Sequence, residues 1–145
     1  MTTLGFERGT AAVALQLALL RKVEIIRDAA RAAHAAADSA LMQRIAIARA
    51  EALALRALTY ETLFATAATK FDASIVRLSF AELAQRVHRL AMDVHAARAV
   101  DFALAEPWVE DYLESFSETI AGGTAEIQRN IIGERVLGLP RGPRP

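Results

Sequence analysis

The chain has 145 residues, enough for one domain with one core, and 54% of them are hydrophobic, with alanine, the best helix former, prominent among them. Its 17 basic and 17 acidic side chains cancel, which excludes a global field able to hold nucleic acid or an anionic membrane surface. The absence of cysteine excludes disulfides, thiolate metal sites and cysteine nucleophiles, and fits a reducing, cytoplasmic setting.

The first apolar stripe is Ala12, Leu15, Leu19, Val23 and Ile26, spaced by three and four, with Arg21, Glu24, Arg27, Asp28 and Arg31 turned mostly away. It predicts a helix over residues 6–31. The apolar run at 11–20 contains Gln16 and passes into Arg21 and Lys22, well short of the roughly 20 residues of a membrane span. Residues 1–10 carry a glutamate and no basic region before an apolar core, so they do not read as a signal peptide.

Asp38 or Ser39 is expected to cap a second helix, with Leu41, Ile45, Ala48, Ala52 and Leu55 inward, running to about residue 69. Asp72 is expected to cap a third. In it Val76, Phe80, Leu83, Val87, Leu90 and Val94 alternate by four and three, the strongest periodic signal in the chain. Pro107 suits the first turn of a fourth helix, where a missing N–H costs nothing. Val109, Leu113, Phe116 and Ile120 are its expected buried side, and Gly122 with Gly123 its end. Thr124 can cap a fifth helix carrying Ile127, Ile131 and Val136 inward and stopping at Gly138, before a Pro/Arg tail at 139–145 expected to be extended and mobile.

Three long helices followed by two shorter ones, joined by short connections, predict an all-α, up-and-down bundle over residues 1–138. No strand pattern or internal repeat competes.

Bundle chemistry is built from facing side chains, and few candidates occur. His88 and His95 share a face of the third helix, but two turns hold them about 10 Å apart, too far for one metal. They, and His34 among its alanines, read as surface histidines, and no Glu-x-x-His pair suggests a di-iron centre. The Gly122–Gly123 pair is more informative. Glycine permits a left-handed helix stop and also a close approach of ligand to backbone, while the amides opening the next helix suit carbonyl or phosphate oxygens.

The stretch IAGGTAEIQRNIIGERVLGLPR, residues 120–141, resembles the C-terminal signature of the acyl-CoA dehydrogenases. The stretch TLGFERGTAA, residues 3–12, looks like the start of the C-terminal helical domain in many bacterial members. The two lie at opposite ends of the chain, so the resemblance covers nearly all of it. It implies a bundle that normally packs against an N-terminal helical domain and a middle β-domain, with FAD and an acyl-CoA thioester between them. Neither of those domains is expected within these 145 residues, which implies an isolated domain, a truncated product, or a subunit needing a partner chain in a homo- or hetero-oligomer.

The family reaction removes a proton next to the thioester while a hydride leaves the neighbouring carbon for the flavin. It needs one carboxylate shielded from water and hydrogen bonds to the thioester oxygen. In many members the base is a glutamate just before the signature's Gly-Thr, the position held here by Gly122, which leaves it without a carboxylate. In a second subgroup the base lies on the first helix, and Glu7 of GFERG takes that position. The resemblance therefore makes Glu7 the candidate base and Arg8 its supporting cation near the acyl-CoA, though either also suits the surface of a helix start. It makes the Gly122 amide a donor to the thioester oxygen, and Thr124 and Glu126 contacts to the flavin nucleotide or simply caps of the fifth helix. Gln128 and Arg129 are expected to hold that helix in place.

Two departures stand against the family pattern. Where typical members have a Gln-x-x-Gly-Gly-x-Gly turn that approaches the neighbouring subunit's flavin, this chain aligns Asp93, Ala96, Ala97 and Ala99. The usual Arg-x-x-Phe-Gly segment after the first helix is replaced by RKVEIIRDAAR at 21–31. Fatty acyl, branched acyl and sterol side-chain thioesters are all compatible with the resemblance.

Overall fold

The computed structural model describes residues 3–32, 38–64, 73–95 and 107–142, with 3–10 as backbone only. Helices α1 (Thr3–Ala32), α2 (Ser39–Phe64) and α3 (Ala73–His95) pack side by side, each touching the other two. Helix α4 (Trp108–Ser115), a 3-10 turn at Ser117–Thr119, helix α5 (Ala125–Ile131) and a wide π turn at Ile132–Val136 follow, and α4 and α5 both lie on α3. The described residues form three long helices and two shorter ones with no strand, as the periodicity predicts. The predicted cap at Asp72 and the end of the second helix beyond Phe64 fall outside the described residues, as do His34, Ala96, Ala97 and Ala99.

The core is the meeting of three stripes. Leu19, Val23, Ile26 and Ala30 of α1 meet Leu41, Ile45, Ala48, Ala52 and Leu55 of α2 and the whole predicted stripe of α3. The small residues Ala48, Ala52, Ala84 and Ala91 are nearly inaccessible, so alanine on facing helices lets the backbones approach closely. Asp38 caps α2 by accepting from the Leu41 N–H at 3.0 Å. Around the rim, Arg44 pairs with Asp93 at 2.7 Å, Arg49 with Glu24 at 2.5 Å and Arg86 with Glu51 at 2.9 Å. Such exposed pairs contribute about 0–1 kcal/mol each, so burial of the stripes dominates.

The stripe of α1 departs from expectation one turn before Leu19. Gln16 is buried at 1% exposure, whereas Leu15 is 39% exposed. At this end the three helices line a cavity, and Gln16 is among its walls.

The fourth helix also differs from its predicted form. It ends at Ser115, well before the glycines, and Leu113, Phe116 and Ile120 are exposed. Val109 is half-buried as expected, but the rest of the packed face is Trp108, Asp111, Tyr112 and Ser115, rotated from the expected stripe. Three contacts fix that rotation: Trp108 packs at a tilt against His95 at 4.9 Å between centroids, Lys22 lies over the Trp108 ring, and Lys22 pairs with Asp111. The early stop has a local cause. Ser115 donates to Tyr112 O at 2.6 Å and Thr119 to Phe116 O at 2.9 Å, hydroxyl contacts that compete with regular helix and tighten the chain into a 3-10 turn.

On the fifth helix Ile131 is half-buried, but Ile127 and Val136 are exposed, contrary to expectation, because the buried position goes to Gln128. The α-helix ends at Ile131 and continues as the π turn to Val136, so the helical run stops just before Gly138, whose φ of +67° lets the Leu139 N–H close on Gly133 O at 2.9 Å. Arg141 then pairs with Glu134 at 3.1 Å. His88 and His95, expected at the surface, are both half-buried, His88 bonded to Ala84 O and His95 against Trp108.

Candidate functional site

Because α1 and α3 run one way and α2 the other, the N-terminal halves of α1 and α3 share an end of the bundle with the C-terminal half of α2. There the helices enclose a cavity of 390 Å³, within the range of small-ligand pockets. Its walls are mostly apolar, with Leu15 from α1, Leu55 and Leu63 from α2, and Val76 and Phe80 from α3. The loop at Ala121 and Gly122 closes one side. The glycine pair and the start of the first helix, more than a hundred residues apart in sequence, therefore belong to one end of the molecule.

The loop is held by two buried or half-buried side chains. Arg77 of α3 donates to the Glu118 carboxylate at 2.8 Å, to Glu118 O at 2.5 Å and to Ala121 O at 2.7 Å. Gln128, 4% exposed, donates from Nε2 to Gly122 O at 3.0 Å. Gly122 and Gly123 have φ of +69° and +107°, values that L side chains rarely adopt. A Cβ on Gly123 would stand 2.7 Å from Gln128 Nε2, so the carboxamide that bonds Gly122 O would have to shift to admit one. Among the described residues the Gly122 N–H donates no backbone hydrogen bond. A loop fastened by these bonds thus carries, among the described residues, an amide with no backbone partner at a residue of the cavity wall.

Thr124 caps α5, its hydroxyl accepting from the Ile127 N–H at 3.4 Å. Glu126 is exposed and its carboxyl is held below the usual range, first by a bond from its own backbone N–H and then by the Thr124 hydroxyl. Arg129 ties the same helix to Glu82 of α3. Gln128 and Arg129 thus hold α5 in place, as expected from the sequence.

A family model described as "Acyl-CoA dehydrogenase, C-terminal domain" matches residues 1–137. The chain belongs to the acyl-CoA dehydrogenase family. This acyl-CoA dehydrogenase domain is 35% identical over 144 residues to acyl-CoA dehydrogenase IpdE1 of Mycobacterium tuberculosis, covering 97% of this chain and 37% of that protein. It is 34% identical over 143 residues to the protein of the same name from Mycolicibacterium smegmatis, covering 97% of this chain and 36% of that one. The chain spans little more than a third of the length of these curated relatives. No solved structure matches it.

Within the family domain, Glu7 and Arg8 lie on α1 near its start. Glu7 holds the register position one turn before Ala11, which lines the cavity. Gly122 lies at the cavity wall, and Thr124 and Glu126 lie on its far side along the chain, at the head of α5. Asp93, aligned with the usual flavin-approaching turn, is instead paired with Arg44. No helix of the described residues is long and apolar enough to cross a membrane.

Two participants in the site had little or no sequence signal. Gln16 appeared as a polar interruption of an apolar run, and its inward position follows from the cavity. Arg77 had no signal at all, since a cation on a helix says nothing of the loop forty residues later that it pins.

Proposed function

We propose that this chain is the part of an FAD-dependent acyl-CoA dehydrogenase that supplies the base, a donor to the thioester oxygen and a wall of the acyl pocket. The observation that carries the reading is Gly122: among the described residues its N–H donates no backbone hydrogen bond, and the residue lines a mostly apolar cavity beside α1. Glu7 takes the proton from the carbon next to the thioester. As that proton leaves, charge grows on the thioester oxygen, where a preorganised amide stabilises it more than it stabilises the ground state. Arg8 steadies the Glu7 carboxylate and the bound acyl-CoA.

Bound FAD supplies the acceptor for the hydride from the neighbouring carbon. The residues at the loop fit that neighbour. The Thr124 hydroxyl accepts from Ile127 and bonds Glu126, which leaves one lone pair for a flavin contact, and Glu126 is exposed. The domains that hold most of the flavin come from chain beyond these residues or from a partner subunit.

In flavin-loaded holoenzyme containing this domain, acyl-CoA is expected to bleach the flavin's visible absorbance. Glu7→Gln is expected to slow that step by about 10²–10⁴-fold with the flavin still bound. Undiminished bleaching would remove Glu7 as the base.

A second reading is a non-catalytic assembly subunit. It is favoured by the exposed apolar row of Leu113, Phe116, Ile120 and Ile127 on α4, the turn after it and α5, surface that a neighbouring chain or domain would cover. It is the better reading if no assembly containing the domain binds flavin or acyl-CoA.

A further inference from the structure

Gln16 is the one buried side chain of the cavity wall whose hydrogen-bonding groups are both left unmet among the described residues. It is 1% exposed, and neither its Oε1 nor its Nε2 has a partner. It lines the cavity among Leu15, Leu55, Val76 and Phe80, none of which can bond it. Thr59, opposite on α2, is also 1% exposed and already gives its proton to Leu55 O at 2.8 Å, so its hydroxyl keeps acceptor capacity on the same cavity. A carboxamide held dry with two donors and an acceptor unused is costly, and a small turn of the side chain toward the cavity would let an occupant complete it.

We propose that Gln16 is a specificity-determining residue that reads a hydroxyl carried on the acyl group, remote from the thioester, of the molecule that fills this cavity. The inference rests on the reading of the cavity as the acyl pocket. A hydroxyl matches the carboxamide because it donates to Oε1 and accepts from Nε2 at once, whereas a keto oxygen satisfies Nε2 alone. Gln16 stands nine residues along α1 from Glu7, roughly 13 Å at the helical rise, so the polar atom is well removed from the reacting carbons. An unsubstituted chain would leave the amide unmet in an apolar wall, and that asymmetry is a stronger discriminator than a change in chain length. The mostly apolar lining accepts the rest of the chain, and among the described residues Gln16 is the lining side chain whose polar atoms are both unmet.

The test uses flavin-loaded holoenzyme containing this domain, with decanoyl-CoA and a series of decanoyl-CoAs bearing one hydroxyl at successive carbons. One remote position is expected to raise kcat/KM over decanoyl-CoA by about tenfold, mainly through KM, with the keto analogue intermediate. Gln16→Met, close in shape but without the hydrogen bonds, is expected to bring that ratio near one, and Gln16→Leu serves as the second variant. A preference that survives both substitutions, or no preferred position in the wild type, overturns the proposal. If no thioester bleaches the flavin, the dehydrogenase reading fails instead. Calorimetric binding of the same series to wild type and Gln16→Met then decides Gln16 separately: the same tenfold ratio, lost in the variant, supports it, and equal binding overturns it.

Discussion

The Gln128 carboxamide reaches back from α5 and donates 3.0 Å to the carbonyl of Gly122, so the helix that follows the glycine turn also fastens it. Gln128 is 4% exposed, and its removal leaves that carbonyl without its partner. Gln128→Leu is expected to destabilise the fold by about 1–3 kcal/mol. Amide hydrogen exchange at Gly122 and Gly123 should quicken more than exchange in the middle of α2.

The two glycines should respond unequally to a methyl group. Gly122→Ala meets only Arg77 Nε at 3.5 Å and carries the left-handed backbone penalty, about 1–2 kcal/mol. Gly123→Ala combines φ of +107° with the 2.7 Å approach to Gln128 Nε2, and is expected to cost more, up to about 3 kcal/mol. Urea unfolding of the two variants would measure the difference.

The rotated packing of α4 predicts a reversal of what its apolar pattern suggests. Ile120→Ser, at a position 67% exposed, should change stability by no more than about 0.5 kcal/mol. Ser115→Leu, at 2% exposure, should cost about 1–3 kcal/mol by overpacking. For scale, Ile26→Ala in the three-helix core should cost about 2–5 kcal/mol. Thermal denaturation of these variants would decide which face of α4 meets α3.

His88 makes stability pH-dependent. Burial, its largest influence, holds its pKa below the ordinary value, with Lys22 acting in the same direction and the Ala84 carbonyl, Asp111 and Glu118 opposing. The carbonyl of Ala84 can only accept, so Nδ1 carries the proton of the neutral ring. As pH falls below about 6.5, the unfolded chain takes up a proton that the folded protein resists, so stability declines. The contribution is fully present above the unfolded pKa and is lost as pH falls toward the depressed folded value. In urea midpoints measured from about pH 7.5 to pH 5, His88→Gln should show a flatter acid-side slope than the wild type.

The sequence by itself determined the helical class, the three long stripes and the family signature. These are local facts: a repeat of three and four residues needs only the helix to be expressed, and an N-cap such as Asp38 or Thr124 acts on amides within its own turn. The glycine turn was legible for the same reason, since its backbone conformation is set residue by residue. Packing between helices decided the rest. Two apolar faces were available on α4, and distant Lys22 and His95 chose the one bearing Trp108 and Asp111. Gln16 came inward at the cavity that the three helices line, and Arg77 found the loop because α3 runs beside it. Periodicity along one helix carries no term for the neighbour it will meet, so which polar groups become buried, paired or left open was decided only by the tertiary structure.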